Sequence, residues 1–420
     1  MCPERRSHQI NLMTSTDARG TQSVTPVQQP DEPESLLVGP EADVDPTVSV
    51  VMPTMNEEEG VAECIDLVKA AVRRSGYRTE VVISDDSTDR TPDIAREEGA
   101  VVVEPDEPGY GYAYRYAFAR CRGEYIIIGD ADTTYDFEQF PRLLKQVVEG
   151  DADMVMGSRL EGDIKDGAMP ALHEHVGNPL LTKFLNVFYG AGVSDAHSGF
   201  RAFHADVLDE LDLETTGMEF ASEMIMDAGA RDLTIKEIPI TYHEREGEAT
   251  LESFRDGWRH VRFMLLNAPN YLFSLPGAVL GITGLSLLLS GTTGVSLGGV
   301  SLGTTAAITG SLLVLVGYQA ANMGVFATLA SDPIQRPNDV VTETVIQRMN
   351  LERLSTVGLV GFTAGALYLT WGAIGWATGN AALVAATPRH VIALTVMILG
   401  VQTVFNAFFM SAVDDRVSAA

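Results

Sequence analysis

The stretch EYIIIGDADTTYDF, Glu124–Phe137, decides the fold. Tyr125–Ile128 is a short apolar run of strand length, apolar at every position. It stops at Gly129, and three carboxylates follow closely, Asp130, Asp132 and Asp136. A strand apolar on both faces belongs to a parallel sheet covered by helices. In open sheets of that kind, ligands bind beyond the carboxyl ends of the strands. The negative charge therefore stands where a ligand would.

Working outward, the same grammar repeats. Val48–Met52 reads as a strand ended by Pro53, and Asn56 and Glu57 follow it in TVSVVMPTMNEEEG. The next helix carries Val61, Ile65, Val68 and Val72 at helical spacing. EVVISDDSTDRT then gives a strand, Val81–Ile83, that breaks into Asp85, Asp86 and Ser87. Further strands are expected at Val101–Val103 and in DADMVMGSR. Helices are expected around Ile94, over Tyr112–Ala119 and over Phe140–Val148. Strands alternating with helices predict a parallel sheet with both faces covered. Chain topology would gather the three polar strand ends into one crevice.

Two carboxylates flanking one residue suit a hard divalent cation, Mg2+ or Mn2+. Such a cation keeps positions open for phosphate oxygens. The carboxylates would neutralise a metal, and the metal a diphosphate. No G-x-G-x-x-G follows the first strand and no G-x-x-x-x-G-K-[ST] occurs, which disfavours dinucleotide enzymes and P-loop ATPases.

The chain carries 57 acidic against 29 basic residues, a net charge of −28. Its only lysines are Lys69, Lys145, Lys165, Lys183 and Lys236. That balance suits concentrated salt, where self-repulsion is screened, and excludes nucleic acid as a partner, which needs a basic footprint. Cys2, Cys64 and Cys121 are scattered, with neither metal-type pairing nor a disulfide framework.

Residues 1–46, rich in Ser, Thr, Pro, Gln, Asp and Glu, are expected to be a disordered acidic tail. From Phe263 to Ala330 no side chain is charged, and Leu354–Pro388 and Val391–Val413 are two more such runs. A span needs roughly 20 apolar residues. Four spans are expected, at about 271–290, 305–329, 356–377 and 391–412, separated from a 47–260 domain within a 261–420 membrane region. Arg255, Arg259 and Arg262 precede the first span. Arg336, Arg348 and Arg353 lie between the second and third. The positive-inside bias then puts the N-terminal domain and the C-terminus in the cytosol, on a multi-pass protein of the cell membrane.

In the order and spacing of its motifs, residues 47–260 resemble the family 2 glycosyltransferases, specifically the polyprenyl-phosphate type that makes dolichyl-phosphate mannose or glucose. The motifs are PTMNEEE (Pro53–Glu59), SDDSTDRT (Ser84–Thr91), GDADTTYD (Gly129–Asp136), GSR (Gly157–Arg159), GN (Gly177–Asn178) and SGFR (Ser198–Arg201). The resemblance implies an α/β fold of GT-A (Rossmann-like) type followed by a four-helix transmembrane region. It implies inverting transfer of a hexose from a nucleotide sugar, UDP-glucose or GDP-mannose, to a polyprenyl (dolichyl) phosphate in the membrane lipid. Pro53, Asn56 and Glu57 would line the nucleotide pocket, and Asp85 or Asp86 would read the base or ribose. Asp130 and Asp132 would hold the metal. Arg201, with Arg159 and Arg245, would grip the acceptor phosphate, and Asn178 and Ser198 belong to the acceptor side. Glu223 in GMEFASEMI falls near the sugar. Catalysis would rest on Asp132, Arg201 and Glu223.

Two departures are visible. Mannose-type relatives read R-x-G-x-S-K-L before the membrane, whereas this chain reads REGEATL, with Ala249 and Thr250 in place of serine and lysine. Processive polysaccharide synthases carry Q-x-x-R-W, and DGWRH (Asp256–His260) does not match it. A synthase of that kind, or a lipid-linked sugar carrier, is the alternative. The charge-free spans offer no buried ion pathway, which favours docking and homo-oligomer assembly over transport.

Overall fold

Val48–Thr54, the first strand, is buried almost throughout and pairs on both edges. Its side chains alternate: Val48, Val50 and Met52 enter one core, and Val51 enters the other. The chain is seen here in a computed structural model describing residues 36–150, 152–246, 253–293, 296–297, 300–301, 303–330, 351–379 and 387–417.

In chain order the elements are β1 (Val48–Thr54), α1 (Val61–Ser75), β2 (Thr79–Asp85), α2 (Thr91–Glu97), β3 (Val101–Val103), α3 (Tyr110–Phe118), β4 (Tyr125–Ile128), α4 (Phe140–Val148), β5 (Met154–Ile164), α5 (Asn178–Tyr189), β6 (Arg201–His204), α6 (Val207–Glu210), α7 (Phe220–Ala230), β7 (Ile235–Tyr242) and α8 (Ser253–Leu266). The helices α9 (Leu275–Thr293), α10 (Thr304–Ala330), α11 (Leu351–Ala377) and α12 (Pro388–Val417) follow.

The seven strands form one sheet in the order β3-β2-β1-β4-β6-β5-β7. Helices α1, α2 and α4 cover one face, and α3, α5 and α7 the other. This is a GT-A, Rossmann-like α/β domain. The sheet is mixed, which corrects the all-parallel expectation: β6 runs antiparallel to both β4 and β5. Its sequence, Arg-Ala-Phe-His, is too short and polar to announce a strand. The reversal has a geometric consequence. Arg201, the first residue of β6, pairs with Ile128 and Met156 and so stands at the carboxyl end of β4, where the Asp130 loop begins.

The expected disordered tail includes residues 36–46, which are described; its Leu36–Val38 segment packs on the domain, while residues 40–45 are exposed. Leu36 and Val38 are buried, and the Val38 N–H donates to the Thr79 carbonyl at 2.8 Å. Three apolar residues, Leu36–Val38, are too few to show a period. Residues 1–35 lie outside the described part.

Four helices are long and apolar enough to cross a membrane: Asn270–Thr293, Thr304–Thr328, Leu351–Ala377 and Pro388–Ala412. They pair as antiparallel hairpins, α9 with α10 and α11 with α12. Glycines let the backbones touch, the packing that replaces hydrophobic driving force inside lipid. A Cβ on Gly310 would sit 2.4 Å from the Leu288 nitrogen and 2.5 Å from the Gly284 oxygen. Gly358 and Gly400 make the corresponding approach in the second hairpin. Hydroxyl pairs join the hairpins, Ser311 to Thr395 at 2.6 Å and Tyr318 to Thr403 at 2.7 Å.

Gly310→Leu is therefore expected to overpack the first hairpin, at a cost of about 1–3 kcal/mol or more. Gly281→Leu, with nothing within 4 Å of its Cβ position, is expected to be neutral. Thermal unfolding of the detergent-solubilised protein checks both; equal melting of the two variants contradicts the packing.

Candidate active site

The loops after β1 and β2 are stitched together before any ligand arrives. Asn56 adopts φ 60°, a left-handed conformation that asparagine tolerates. Its Oδ1 accepts from the Thr88 N–H at 2.9 Å and the Thr88 hydroxyl at 3.2 Å, and its own N–H donates to Ser87 Oγ at 2.8 Å. Asp85 is buried, and its Oδ1 accepts from the Thr54 and Ser87 hydroxyls at 2.7 and 2.6 Å. Its carboxylate thus closes the turn. Asp86 is exposed beside it, and Pro53 sits in β1 in register with Ser84.

The loop after β4 carries the densest charge. The Tyr110 hydroxyl donates to Asp130 Oδ1 at 2.8 Å. Asp132 Oδ1 accepts from the Thr134 hydroxyl at 2.5 Å and the Thr134 N–H at 3.2 Å. Arg245 bridges this loop to the first one, pairing with Glu57 Oε1 and lying 3.4 Å from Asp132 Oδ2. It is brought there by the segment after β7. The His243 N–H donates to the Thr134 carbonyl, and the Glu246 N–H to the Thr133 hydroxyl and the Asp132 carbonyl.

Three carboxyls, Glu57, Asp130 and Asp132, lie near enough to feel one another's charge. Burial pushes Asp130 up to about 6, with neighbouring Asp132 adding to the push and the Tyr110 bond opposing it. Burial likewise pushes Glu57 up to about 7, against the pull of Arg245 and aided by Asp132 and Asp130. Among the described residues no three His, Cys, Asp or Glu side chains converge as a metal cage. The donor set, Asp130 with Asp132, fits a hard cation that takes its other ligands from phosphate and water.

The SGFR turn lies against this loop. A Cβ on Gly199 would stand 3.3 Å from Asp130 Oδ2 and 3.4 Å from the Tyr135 hydroxyl, so only glycine leaves that space open. Arg201 is fully buried. Its Nε donates to the Ser198 carbonyl at 3.0 Å, and its Nη2 to the carbonyls of Ala221 at 2.8 Å and Ala196 at 3.4 Å. Its Nη1 is buried with no partner among the described residues, as is the Ser198 hydroxyl oxygen. Burial lowers the Arg201 pKa from its ordinary value.

Three other expected site residues are committed elsewhere. Arg159 makes a two-pronged pair with buried Asp195, Nε to Oδ2 and Nη2 to Oδ1, both at 2.8 Å. Glu223 accepts from the Glu214 and Thr215 N–H groups and from the Thr215 hydroxyl at 2.6 Å, holding the loop before α7. Burial raises its pKa. Asn178 opens α5 and donates to Met169 Sδ at 3.4 Å.

Sequence reasoning passed over Tyr135, whose hydroxyl accepts from the Gly199 N–H at 2.7 Å, and Asp195, the partner of Arg159. Nor does the sequence separate Tyr110 from Tyr112, Tyr114 and Tyr116 beside it. Nothing in an apolar-aromatic pattern marks which hydroxyl meets a carboxylate.

Residues 49–212 match Glycosyl transferase family 2, and residues 325–414 match the Glycosyltransferase family 2 C-terminal transmembrane region. The chain is 55% identical over 382 residues to the low-salt glycan biosynthesis hexosyltransferase Agl6 of Haloferax volcanii, covering 91% of this chain and 92% of that one. It is 34% identical over 211 residues to a dolichyl-phosphate hexose transferase of the same organism, covering 50% and 89%. Among solved structures it is similar to glucosyl-3-phosphoglycerate synthase of Mycobacterium tuberculosis in complex with Mn2+, UDP and glucosyl-3-phosphoglycerate, at 25% identity and a TM-score of 0.44 over 53% of this chain and 80% of that one. With a match along nearly its whole length to one relative, and with both the catalytic and the membrane regions recognised, the chain belongs to glycosyltransferase family 2.

Proposed function

We propose that the protein transfers a hexose, with inversion, from a nucleotide-diphosphate sugar to a polyprenyl phosphate of dolichyl type, at the cytosolic face of the membrane. The observation that carries this is Arg201. A buried guanidinium whose Nη1 has no partner among the described residues, two residues from Gly199, whose Cβ position lies 3.3 Å from Asp130 Oδ2, would be a seat for an anion next to a seat for a cation. The names of the two Haloferax relatives, a hexosyltransferase and a dolichyl-phosphate hexose transferase, support the reading.

Asp130 and Asp132 would hold Mg2+ or Mn2+, whose charge would offset that of the departing nucleotide diphosphate. Tyr110 and Thr134 fix the two carboxylates in advance. Arg245 holds Glu57 and Asp132 together and supplies positive charge at the same edge. The loop pair closed by Asn56, Asp85 and Ser87 would receive the nucleoside, UDP or GDP. The acceptor phosphate is already largely doubly ionised at pH 7, its second pKa being roughly 6. It needs positioning more than deprotonation, and Arg201 would supply that through Nη1. The four spans would keep the acceptor's lipid tail in the bilayer.

Asp132→Ala is expected to abolish transfer of radiolabelled hexose into the lipid extract while the protein stays membrane-inserted. EDTA should do the same to the unaltered protein. Full turnover in either case overturns the metal assignment.

Arg201→Lys keeps the charge and loses the planar fork. Loss of one charge-assisted bond, about 1.5–3 kcal/mol, corresponds to a roughly ten- to hundredfold weaker acceptor affinity. Donor binding should stay near normal. Lower thermal stability with unchanged acceptor affinity would make Arg201 structural.

A cysteine placed at Val340, between the second and third spans, should react with impermeant maleimide only from the cytosolic side. Reaction from outside alone would reverse the orientation.

A further inference from the structure

The turn that seats Arg201 is tied to the helix that leads into the membrane. Three carbonyls accept from the Arg201 guanidinium, those of Ala196, Ser198 and Ala221. Ala196 and Ser198 flank His197, and Ala221 precedes Ser222. His197 and Ser222 meet: Ser222 Oγ lies 3.4 Å from His197 Nε2. It also lies 3.1 Å from Nδ1 of His260, which belongs to α8. The two imidazole rings stand edge to face, 5.1 Å apart between centroids.

One hydroxyl thus joins three segments of the chain. Ser222 is fully buried, so water does not compete for it. A hydroxyl has one proton, and it donates to one ring while accepting from the other. Burial, with neighbouring His260 adding to it, pushes His197 down to about 3, against the pull of Asp195. His197 is therefore neutral at pH 7, with one ring nitrogen protonated and the other bare.

Helix α8 is the last long helix before the first span, Asn270–Thr293. It is docked on the catalytic domain by other contacts. Met264 is buried and its carbonyl accepts from the Tyr189 hydroxyl at 3.3 Å, and Arg259 Nε lies 3.3 Å from Glu219 Oε1. His260 differs from these, because it reaches the residue next to a carbonyl that holds Arg201. His197 Nδ1, Ser198 Oγ and Arg201 Nη1 are buried with no partner among the described residues. The turn therefore presents polar groups that a ligand would match.

We infer that His260 is a positioning residue: through the Ser222 hydroxyl it fixes the carbonyls around Arg201, and so couples the seating of α8 to the binding of the acceptor phosphate. It touches no reacting atom itself. The inference rests on the reading of Arg201 as the acceptor's seat.

The full-length protein in detergent micelles is titrated with a short-chain polyprenyl phosphate and, separately, with the Mn2+ complexes of UDP and GDP. His260→Leu and Ser222→Ala are each expected to weaken polyprenyl phosphate binding about three- to tenfold, the weight of one hydrogen bond, with nucleotide binding unchanged. The double variant should bind no more weakly than the weaker single one, because both changes break the same contact. His260→Asn, whose amide can set a polar atom near the place of Nδ1, should recover most of the loss. Acceptor binding equal to that of the unaltered protein, in folded His260→Leu or Ser222→Ala, overturns the inference. Joint weakening of acceptor and nucleotide binding, with a lower melting temperature and no recovery in His260→Asn, also overturns it, because His260 is then only structural. Ser222→Ala removes a single oxygen atom and carries the test should His260→Leu not fold. If the unaltered protein binds nucleotide but no polyprenyl phosphate, the acceptor assignment of Arg201 fails, and the role of His260 with it.

Discussion

Arg201 is held in register between Ile128 and Met156, fully buried, with three backbone carbonyls on its guanidinium. Burying a charge without a counter-ion costs several kcal/mol. The fold meets that cost with backbone dipoles and leaves Nη1 without a partner among the described residues. This is possible only because β6 runs against its neighbours. A parallel β6 would carry its first residue to the opposite edge of the sheet, away from Asp130.

The opposite charge is crowded at the same edge. Burial raises the pKa of Glu57 and of Asp130, the neighbouring carboxylates add to the rise, and Arg245 opposes it. Each carboxylate is aimed by a neighbouring hydroxyl or N–H, so the geometry exists without a ligand. Fixed dipoles of this kind need no reorganisation when a phosphate or sugar arrives, which is how such sites favour a charged transition state. A buried arginine at the start of β6 and two carboxylates aimed in advance on the loop after β4 would suit a reaction between two phosphate-bearing substrates.

Much of this was legible in the sequence, and the exceptions have physical reasons. The strands β1, β2 and β4 and the four apolar helices declare themselves because burial on both faces, or in lipid, demands unbroken apolar runs. β6 does not, since Arg-Ala-Phe-His has four residues and two polar ends. β7 does not either, since Lys236, Glu237 and Pro239 interrupt it at the sheet edge. Asp130 and Asp132 were readable from their place after a buried strand. The commitments of Arg159 to Asp195 and of Glu223 to the Thr215 loop were not, because each partner is distant in sequence or in an irregular turn.

The central claim is that Arg201 Nη1 receives the acceptor phosphate beside the Asp130–Asp132 loop. The most direct measurement is an experimental structure of the protein with a short-chain polyprenyl phosphate bound. The account predicts the phosphate within hydrogen-bonding distance of Arg201 Nη1, on the Gly199 side facing Asp130. A phosphate bound elsewhere, with Nη1 still bare, would contradict it.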